Sequence, residues 1–283
     1  MVFESLINFQ TAKNKPLILV FLGIVYSSLS LVLANWIFPS HASLTTLFFT
    51  VLACVPLFMK TIEAEEVLDI KTTSEKSLLK EHGKVILYLC CLFLGFVISF
   101  TAWFVLLPVD DAGTNFSVQL DTFCRVNQAG NYDACMGQYG MSSDATGYAI
   151  KEQSALFTII KNNLKVMLVC IIFSFLYGSG ALYILTWNAM VLSVAIGYHM
   201  KLLLASVNPF SAVLISSVSF LKHGLLEMVG YFIAGLAAGI LSVAVIRHHY
   251  STPKFRKILL DSLWLFGLSV LIIIIAGLFE VYL

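Results

Sequence analysis

The sequence predicts an all-α protein, a polytopic transmembrane helical bundle of about seven spans with one small disulfide-bearing extracytoplasmic loop. Of its 283 residues, 59% are hydrophobic and only 12% are charged, and the mean hydropathy is +0.90. Apolar runs of about 18 or more residues with few charges are typical of transmembrane helices, and several such runs follow one another here. The charged residues are gathered between these runs, where a membrane protein meets water.

Seven segments are apolar enough to be spans. They are residues 16–38, 44–59, 85–107, 164–185, 187–207, one span within 210–246, and 258–283. The sixth region is the longest, and at about 1.5 Å per residue it exceeds a hydrocarbon core of ~30 Å. Either a half-helix over 211–221 precedes a span over 224–246, or one long helix projects beyond the bilayer. The first arrangement is favoured, because Lys222-His223-Gly224 interrupts the apolar run.

Basic residues predict the orientation of the spans. On one side of the predicted bundle lie 11 of the 17 lysines and arginines: before the first span, between the second and third, and between the sixth and seventh. The positive-inside rule places that side in the cytoplasm. We therefore expect a multi-pass protein of the cell membrane with a cytoplasmic N-terminus and an extracytoplasmic C-terminus. No small-residue cleavage site follows Met1–Lys15, so the first helix is expected to be retained.

Two polar segments separate the predicted spans. The cytoplasmic connector, residues 61–84, is interpreted as a charged, solvated extension of the second helix that turns at Thr72-Thr73-Ser74. His82 has no further acid or histidine ligand near it in sequence beyond Glu81, so no site is predicted there. The outer loop, residues 109–160, is too short to be an enzyme domain of its own.

The outer loop carries two features that depend on an extracytoplasmic location. Cys124 and Cys135 both lie in it, whereas the other cysteines fall within predicted spans. A pair of cysteines outside the cytoplasm predicts a disulfide, and two free thiols are the alternative. Asn115-Phe116-Ser117 is a candidate glycosylation sequon.

A histidine and a glutamate interrupt the sixth apolar region, in Lys222-His223-Gly224-Leu225-Leu226-Glu227. On a helix, His223 and Glu227 share one face. Ionisable side chains at membrane depth usually face a partner, a cavity or a functional site. Three interpretations stay open: a buried hydrogen bond that fixes packing, which is favoured; a proton or metal site; and a contact with a partner helix or a lipid headgroup. Zinc normally needs three or four ligands, and the nearest other histidine is His199.

Asparagines and glycines surround this pair. Asn163, at the predicted start of the fourth span, and Asn188, at the predicted turn between the fourth and fifth, extend the candidate polar site, although helix capping is their simpler interpretation. Small residues let helices approach closely in membranes, and Gly235 and Gly239 form a GxxxG pair. The glycines expected at helix contacts are Gly224, Gly230, Gly235 and Gly239.

Several classes of function lack their motifs. The chain has no GxxxxGK[ST] phosphate loop, no HExxH and no GxSxG, so a primary pump or a classical membrane protease is not expected. The net charge of +1 and the lack of a dense basic patch predict no nucleic-acid partner. No cofactor is expected, and a non-enzyme is favoured over an enzyme.

The motifs also form an ordered series that resembles the stage II sporulation protein M family of integral membrane proteins. The series is Lys161-Asn162-Asn163, Gly178-Ser179-Gly180, Trp187-Asn188, Gly197, residues 223–227 and residues 234–239. The similarity covers about Gly83 to Leu283, and residues 1–82 resemble the extra N-terminal hairpin of archaeal members. The resemblance implies two units, a transmembrane hairpin with its connector over 1–82 and a five-span core over 83–283. It also implies a scaffold, because the family in spore-forming bacteria resembles one that recruits cell-wall-degrading partners.

These observations lead to two expectations about function. The first is a non-catalytic membrane scaffold or assembly factor that acts through helix–helix contacts around Gly235 and Gly239 and through the outer loop. Its partners would be membrane lipids and other membrane proteins, or a second copy of the chain. The alternative is a transporter or channel for a small solute or ion, with His223 and Glu227 on the path. A water-filled cavity that reaches this pair would distinguish the second expectation from the first.

Overall fold

A computed structural model describes residues 15–71, 75–141, 155–247 and 252–282. These residues form helices and turns and no β-strand. The helices are α1 (Leu17–Ile37), α2 (Ala42–Lys71), α3 (Glu75–Leu106), α4 (Val109–Asn115), α5 (Ser117–Asn127), α6 (Tyr132–Gly137), α7 (Ala155–Tyr177), α8 (Gly180–Leu203), α9 (Pro209–Ile246) and α10 (Pro253–Tyr282). Short 3₁₀ turns at Pro39–His41 and Ala129–Asn131 link α1 to α2 and α5 to α6.

Seven of these helices are long and apolar enough to cross a membrane, which confirms the predicted fold class. The candidate spans are Leu17–Ile37, Pro39–Lys71, Leu78–Leu106, Ile159–Leu176, Gly180–Leu203, Gly224–Ile246 and Pro253–Phe279. The second and third helices extend beyond the predicted spans into the connector, and the predicted turn at residues 72–74 lies outside the described residues.

The turn between the fourth and fifth spans is not at Asn188, where the sequence analysis expected it. It lies at Gly178 and Ser179, between α7 and α8. Gly178 has φ +68°, a left-handed conformation that glycine adopts without a Cβ penalty. A Cβ on Gly180 would lie 2.2 Å from the carbonyl carbon of Phe173, so only glycine fits this close return of the chain. The boundary between α7 and α8 therefore depends on backbone geometry, which a hydropathy pattern does not reveal.

The favoured broken form of the sixth region is wrong, because α9 is one continuous helix of 38 residues. Its start is well defined: Pro209 occupies the first turn, and the side chain of Asn208 accepts a hydrogen bond of 2.9 Å from the backbone N–H of Ser211. A single glycine in a helix costs about 1 kcal/mol relative to alanine and does not break it. Gly224 therefore interrupts the apolar pattern without interrupting the helix.

The N-terminal hairpin packs directly on the rest of the bundle. α1 crosses α3 at two glycines, Gly23 and Gly95. A Cβ on Gly95 would lie 2.4 Å from the backbone oxygen of Val20, which is closer than real Cβ contacts. The hydroxyls of Ser28 and Ser99 meet at 3.0 Å beside this crossing. Close backbone approach and an interhelical hydrogen bond thus join α1 to α3.

A polar subdomain, defined here as residues 109–141, covers one end of the bundle, called the subdomain end below. The Cys124–Cys135 disulfide joins α5 to α6 and confirms the predicted bond. Tyr139 reaches back to the helices, with its ring centroid 5.4 Å from that of Phe104. The ammonium of Lys201, on α8, lies 5.0 Å from the Phe104 ring and 5.4 Å from the Tyr139 ring. These contacts seat the subdomain on α3 and α8.

The fold is incompatible with a glycan on Asn115. Its side chain is 2% exposed at the end of α4. The amide nitrogen that would carry the sugar donates a hydrogen bond of 2.8 Å to the backbone oxygen of Asp111, and the amide oxygen accepts one from Asn35. A sequon is useful only where its asparagine is accessible, and the sequence pattern did not reveal this burial.

Two glycines of α3 provide a matched test of the crossing between α1 and α3. We expect Gly95→Ala to lower the free energy of unfolding by about 1–3 kcal/mol, because the new methyl group overpacks the contact with α1. Gly83→Ala, on the same helix with nothing within 4 Å of the added Cβ, should raise it by about 0.5–1 kcal/mol. Thermal unfolding in detergent measures both changes, and shifts of the same sign would contradict the crossing.

Candidate functional site

A cleft of about 820 Å³ lies between α7 and α8, with α9 behind it and α5 of the subdomain above it. Three consecutive helices of the bundle and one helix of the subdomain therefore contribute to one cavity. Its polar lining residues are Thr122, Arg125, Asn127, Asn162, Asn163, Lys165, Tyr183, Trp187, Asn188, Glu227 and Tyr231. Three of the four residues that the sequence analysis assigned to a polar site, Asn163, Asn188 and Glu227, come together here.

Asn163 is the centre of the hydrogen-bonding network in the wall of the cleft. The hydroxyl of Tyr231 donates to the amide oxygen of Asn163 at 3.0 Å, and the amide nitrogen of Asn163 donates to Glu227 Oε1 at 2.5 Å. Asn163 is 6% exposed, so both bonds form away from bulk solvent. The network joins α7 to α9 and fixes the direction of the Glu227 carboxylate, since hydrogen bonds to an ionised group are stronger than neutral ones.

The capping interpretation of the two asparagines is wrong. Asn163 lies well inside α7, which begins at Ala155, and Asn188 lies inside α8, which begins at Gly180. The amide nitrogen of Asn188 donates to the backbone oxygen of Ile184, one turn earlier in the same helix, at 2.8 Å. Both side chains therefore line the cleft from helix interiors rather than finishing helix ends.

The structure describes only Glu227 of the predicted His223–Glu227 pair. The side chain of His223 lies outside the described part of the chain, although the helix α9 runs through it. His199, the other histidine considered, hydrogen-bonds Ser216 at 3.2 Å and is not among the residues that line the cleft. Among the described residues, no group of three His, Cys, Asp or Glu side chains could hold a metal ion.

Charge is distributed unevenly along the cleft. Arg125 and Lys165 are exposed, whereas Glu227 is half-buried and its partner Asn163 is buried. Arg125 donates to Asp121 at 2.9 Å and to the hydroxyl of Tyr132 at 3.3 Å. Partial burial opposes ionisation of Asp121, but the hydrogen bonds from Arg125 and Tyr132 prevail and lower the pKa of Asp121. Two exposed basic side chains and one half-buried carboxylate therefore line the same cleft.

Close helix packing lies beyond the deep end of the cleft. A Cβ on Gly235 would lie 2.5 Å from the Cβ of Ala181 on α8, and one on Gly239 would lie 3.2 Å from Ile62 on α2. Gly230 is equally close to α10, at 2.8 Å from Ile273, whereas Gly224 is 3.8 Å from Leu192. These glycines contact helices of their own chain, so Gly235 and Gly239 offer no open surface to a partner helix.

A second polar cluster, which the sequence analysis missed, lies at the end of the bundle opposite the subdomain, called the charged end below. Glu65, Glu66 and Asp69 on α2 are at most 1% exposed. His82 on α3 stands between two of them, with Nδ1 2.9 Å from Glu65 Oε2 and Nε2 3.8 Å from Asp69 Oδ1. Both ring nitrogens of His82 therefore face carboxylates, Nδ1 at hydrogen-bond distance and Nε2 at ion-pair distance.

Basic residues of two further helices complete the charged end. Arg247, after α9, donates to Glu66 at 2.8 Å and to Glu63 at 3.4 Å. Lys257 on α10 donates to the backbone oxygen of Asp69. The cluster therefore joins α2, α3, α9 and α10 by groups distant in sequence, and the interpretation of this segment as a solvated connector is wrong.

A sequence signal for this cluster existed. Phe58, Ile62, Glu65 and Asp69 are spaced by three or four residues and form one buried stripe along α2. The acids continue the apolar face of the helix instead of the solvated one. Glu81 and His82 suggested no site because the partners of His82 lie on a different helix.

A bundle with seven candidate spans, a disulfide-bearing polar subdomain and a polar cleft defines a multi-pass integral membrane protein. The model of the stage II sporulation protein M family (SpoIIM) matches residues 85–283. This match covers more than half of the chain, so the protein belongs to the SpoIIM family, as the ordered motifs indicated. No curated protein and no solved structure matches the chain.

Adjacent asparagines of α7 test the network in the cleft. We expect Asn163→Leu to lower the free energy of unfolding by about 1–3 kcal/mol, because it removes the donor to Glu227 and the acceptor for the Tyr231 hydroxyl. Asn162→Leu, the same change at an exposed neighbour, should alter it by less than about 0.5 kcal/mol. If both variants lost the same thermal stability in detergent, the hydrogen bonds of Asn163 would make no specific contribution to the free energy of unfolding.

Proposed function

We propose that this SpoIIM-family protein is a non-catalytic membrane protein that binds a small polar solute or a polar headgroup in the cleft, as the binding step of transport. The observation that carries the proposal is the cleft of about 820 Å³ that extends from the subdomain to Glu227. Ligand sites in proteins typically occupy about 300–1,000 Å³ and combine apolar walls with a few oriented polar groups. Asn163, Tyr231 and Glu227 supply such groups.

The shape of the cleft favours a transporter over a channel. Transporters bind their substrates near the middle of the bilayer, at a site that opens to one side at a time. The cleft is open where α7 and α8 are separated, and tight packing at Gly235 and at the turn around Gly180 lies beyond its deep end. Movement of a substrate to the other side would require these contacts to rearrange, so the described structure corresponds to one access state.

In the proposed orientation, the cleft faces away from the cytoplasm and the protein lies in the cell membrane. Lys60, Lys71, Arg247 and Lys257 all lie towards the charged end, and the positive-inside rule places that end in the cytoplasm. The disulfide in the subdomain supports the same orientation, because such bonds persist mainly outside the cytoplasm. The subdomain and the C-terminus of α10 are then extracytoplasmic.

The scaffold that the sequence analysis expected is a second candidate, and it now depends on the subdomain alone. One observation favours it: Val126 of α5 is an apolar side chain that is 74% exposed on a subdomain held in place by a disulfide. Exposed apolar groups on polar surfaces can mark sites of protein contact. The GxxxG glycines do not support this candidate, because they pack inside the chain.

Cysteine accessibility tests the cleft. We expect a membrane-impermeant thiol reagent added from the extracytoplasmic side to label Val191→Cys, which lines the cleft, about tenfold faster than Leu271→Cys. Leu271 is a matched control, because it is 53% exposed on α10 in a candidate span and faces lipid in the proposed orientation. The unsubstituted chain gives the background rate from the native thiols, of which Cys54, Cys91 and Cys170 are buried and Cys90 is half-buried. Equal labelling of the two variants would rule out a water-accessible cleft.

Co-purification tests the scaffold. If partners dock on the subdomain, Val126→Asp should remove them from a mild-detergent purification, because a buried unpaired carboxylate is strongly unfavourable at an interface. Val109→Asp is the matched control, since Val109 is also exposed on the subdomain, at the start of α4 where an acid suits the helix. Identical partners in both variants and the native chain would count against docking at Val126.

A further inference from the structure

We propose that the ligand of the cleft is a membrane phospholipid, which enters sideways between α7 and α8 and whose phosphate binds Lys165. This inference rests on the proposed function, because it names the ligand of the same cleft and its route of entry. Three observations carry it: the cleft borders the membrane, an exposed cation lies at its edge, and apolar side chains line its walls.

The cleft lies at the periphery of the bundle, where α7 borders lipid. Because α9 forms the back of the cleft, its open side lies between α7 and α8. The candidate span of α7, Ile159–Leu176, is the least buried of the seven candidate spans described. Val169 and Tyr183 line the cleft, are exposed and lie within candidate spans. An exposed side chain at that depth meets lipid rather than water, so this part of the cleft opens towards the bilayer.

Asn162, Lys165 and Val169 form the exposed edge of the cleft on α7. Successive members are three or four residues apart, so they lie on one face of the helix, and all three line the cleft. Asn163 lies on the neighbouring face, where it is buried and hydrogen-bonds Glu227 of α9. Lys165 and Asn162 are therefore the polar groups of α7 that a ligand between α7 and α8 can contact.

Lys165 is a cation at membrane depth. At 1.5 Å per residue, it lies about 9 Å inside the candidate span that begins at Ile159 and about 18 Å from Tyr177. No carboxylate in the described part of the chain forms an ion pair with it. Charged side chains at this depth usually face a partner or a polar pathway. A phosphate can accept from the three N–H groups of the ammonium, and Asn162, one turn earlier, adds an amide donor.

The apolar part of the lining suits acyl chains. Ile159, Val166 and Val169 on α7 and Ile184 and Val191 on α8 line the same cleft as Lys165. A phospholipid carries a phosphate next to hydrocarbon chains, so one molecule can make both kinds of contact. A free phosphate ester would have to leave water to reach Lys165 and would leave the apolar walls without contacts. The acyl chains of a phospholipid already lie in the bilayer, so they lose no hydration when the lipid enters from the side.

Photolabelling of the full-length protein in nanodiscs tests the inference. The probe is phosphatidylglycerol with a photoreactive group on one acyl chain, and diacylglycerol with the same chain is the control that lacks a phosphate. Mass spectrometry of peptides locates the label, which we expect on residues 159–169 and 183–191. Excess glycerol 3-phosphate in the buffer tests a free phosphate ester as the other source, because it would compete for Lys165 from water.

Two lysines of α7 distinguish phosphate binding from a general attraction to positive charge. We expect Lys165→Gln to lower phosphatidylglycerol labelling of the cleft about tenfold, because the charged hydrogen bond to the phosphate is lost. Lys161→Gln is the matched control and should label like the native chain. Lys161 is also exposed on α7, but it lies over the ring of Phe157 and does not line the cleft.

Two neighbouring residues of α7 test the sideways entry. We expect Val169→Trp to lower the labelling of the cleft about tenfold, because a larger side chain at its exposed edge overpacks the opening. Leu168→Trp is the matched control, since Leu168 is exposed on the same helix but does not line the cleft. Because all four substituted positions are exposed, the variants keep the packed core.

The outcomes separate the lipid from the proposed function. Labelling of the cleft that falls in Lys165→Gln and Val169→Trp, but not in their controls, supports the inference. Equal labelling by diacylglycerol, or labelling unchanged by Lys165→Gln, overturns the phosphate contact, and labelling unchanged by Val169→Trp overturns the sideways entry. Displacement of the lipid by glycerol 3-phosphate overturns the lipid while the binding cleft stands. If neither lipid labels the cleft, the inference is rejected, and thiol labelling of Val191→Cys then decides whether the proposed function also fails.

Discussion

Close packing of α9 against its neighbours is the interaction on which the rest of the bundle depends. In a bilayer the hydrophobic effect does not draw helices together, so van der Waals contact and interhelical hydrogen bonds must hold them. Gly230, Gly235 and Gly239 let α9 touch α10, α8 and α2. A Cβ on Gly230 or Gly235 would collide with its neighbour, and one on Gly239 would make a tight contact with α2. The contacts of Gly235 and Gly239 lie beyond Tyr231, the last residue of α9 that lines the cleft, and they close the bundle there. The GxxxG pattern of Gly235 and Gly239, which suggests contact between chains, instead lets helices of this chain pack on one another.

The charged end and the cleft both remove ionisable groups from water, but their side chains are arranged differently. A charge removed from water is tolerated only with partners, and a pair that satisfies itself leaves little for a ligand. At the charged end, the acids of α2 meet His82, Arg247 and Lys257, and these groups join four helices. In the cleft, Glu227 accepts a hydrogen bond from Asn163 and lines an open volume. The first arrangement joins helices, whereas the second leaves space beside a polar group.

Much of the fold could be predicted from the sequence because its signals are compositional. Hydropathy identifies the spans, and the location of Cys124 and Cys135 outside them predicts the disulfide. Features that depend on backbone geometry or on distant partners could not be predicted in this way. The turn at Gly178 requires a positive φ, the burial of Asn115 depends on Asn35, and the role of His82 depends on acids of another helix. The continuity of α9 depends on a small local energy, since one glycine only weakens a helix.

The candidate site could be predicted in part, because polar residues within apolar segments can be recognised in the sequence. Asn163, Asn188 and Glu227 could be selected as polar residues in apolar surroundings, but their convergence depends on α7 and α8 meeting α9 at one level. The contribution of Arg125 to the cleft could not be predicted from the sequence, because this residue belongs to the subdomain. It reaches the cleft through the packing of α5 on α8, where the rings of Phe123 and Tyr198 lie 5.1 Å apart. A structural subdomain thereby supplies one charge of a membrane cavity. Its disulfide and its aromatic contacts consequently position Arg125 at the cleft as well as stabilising the subdomain.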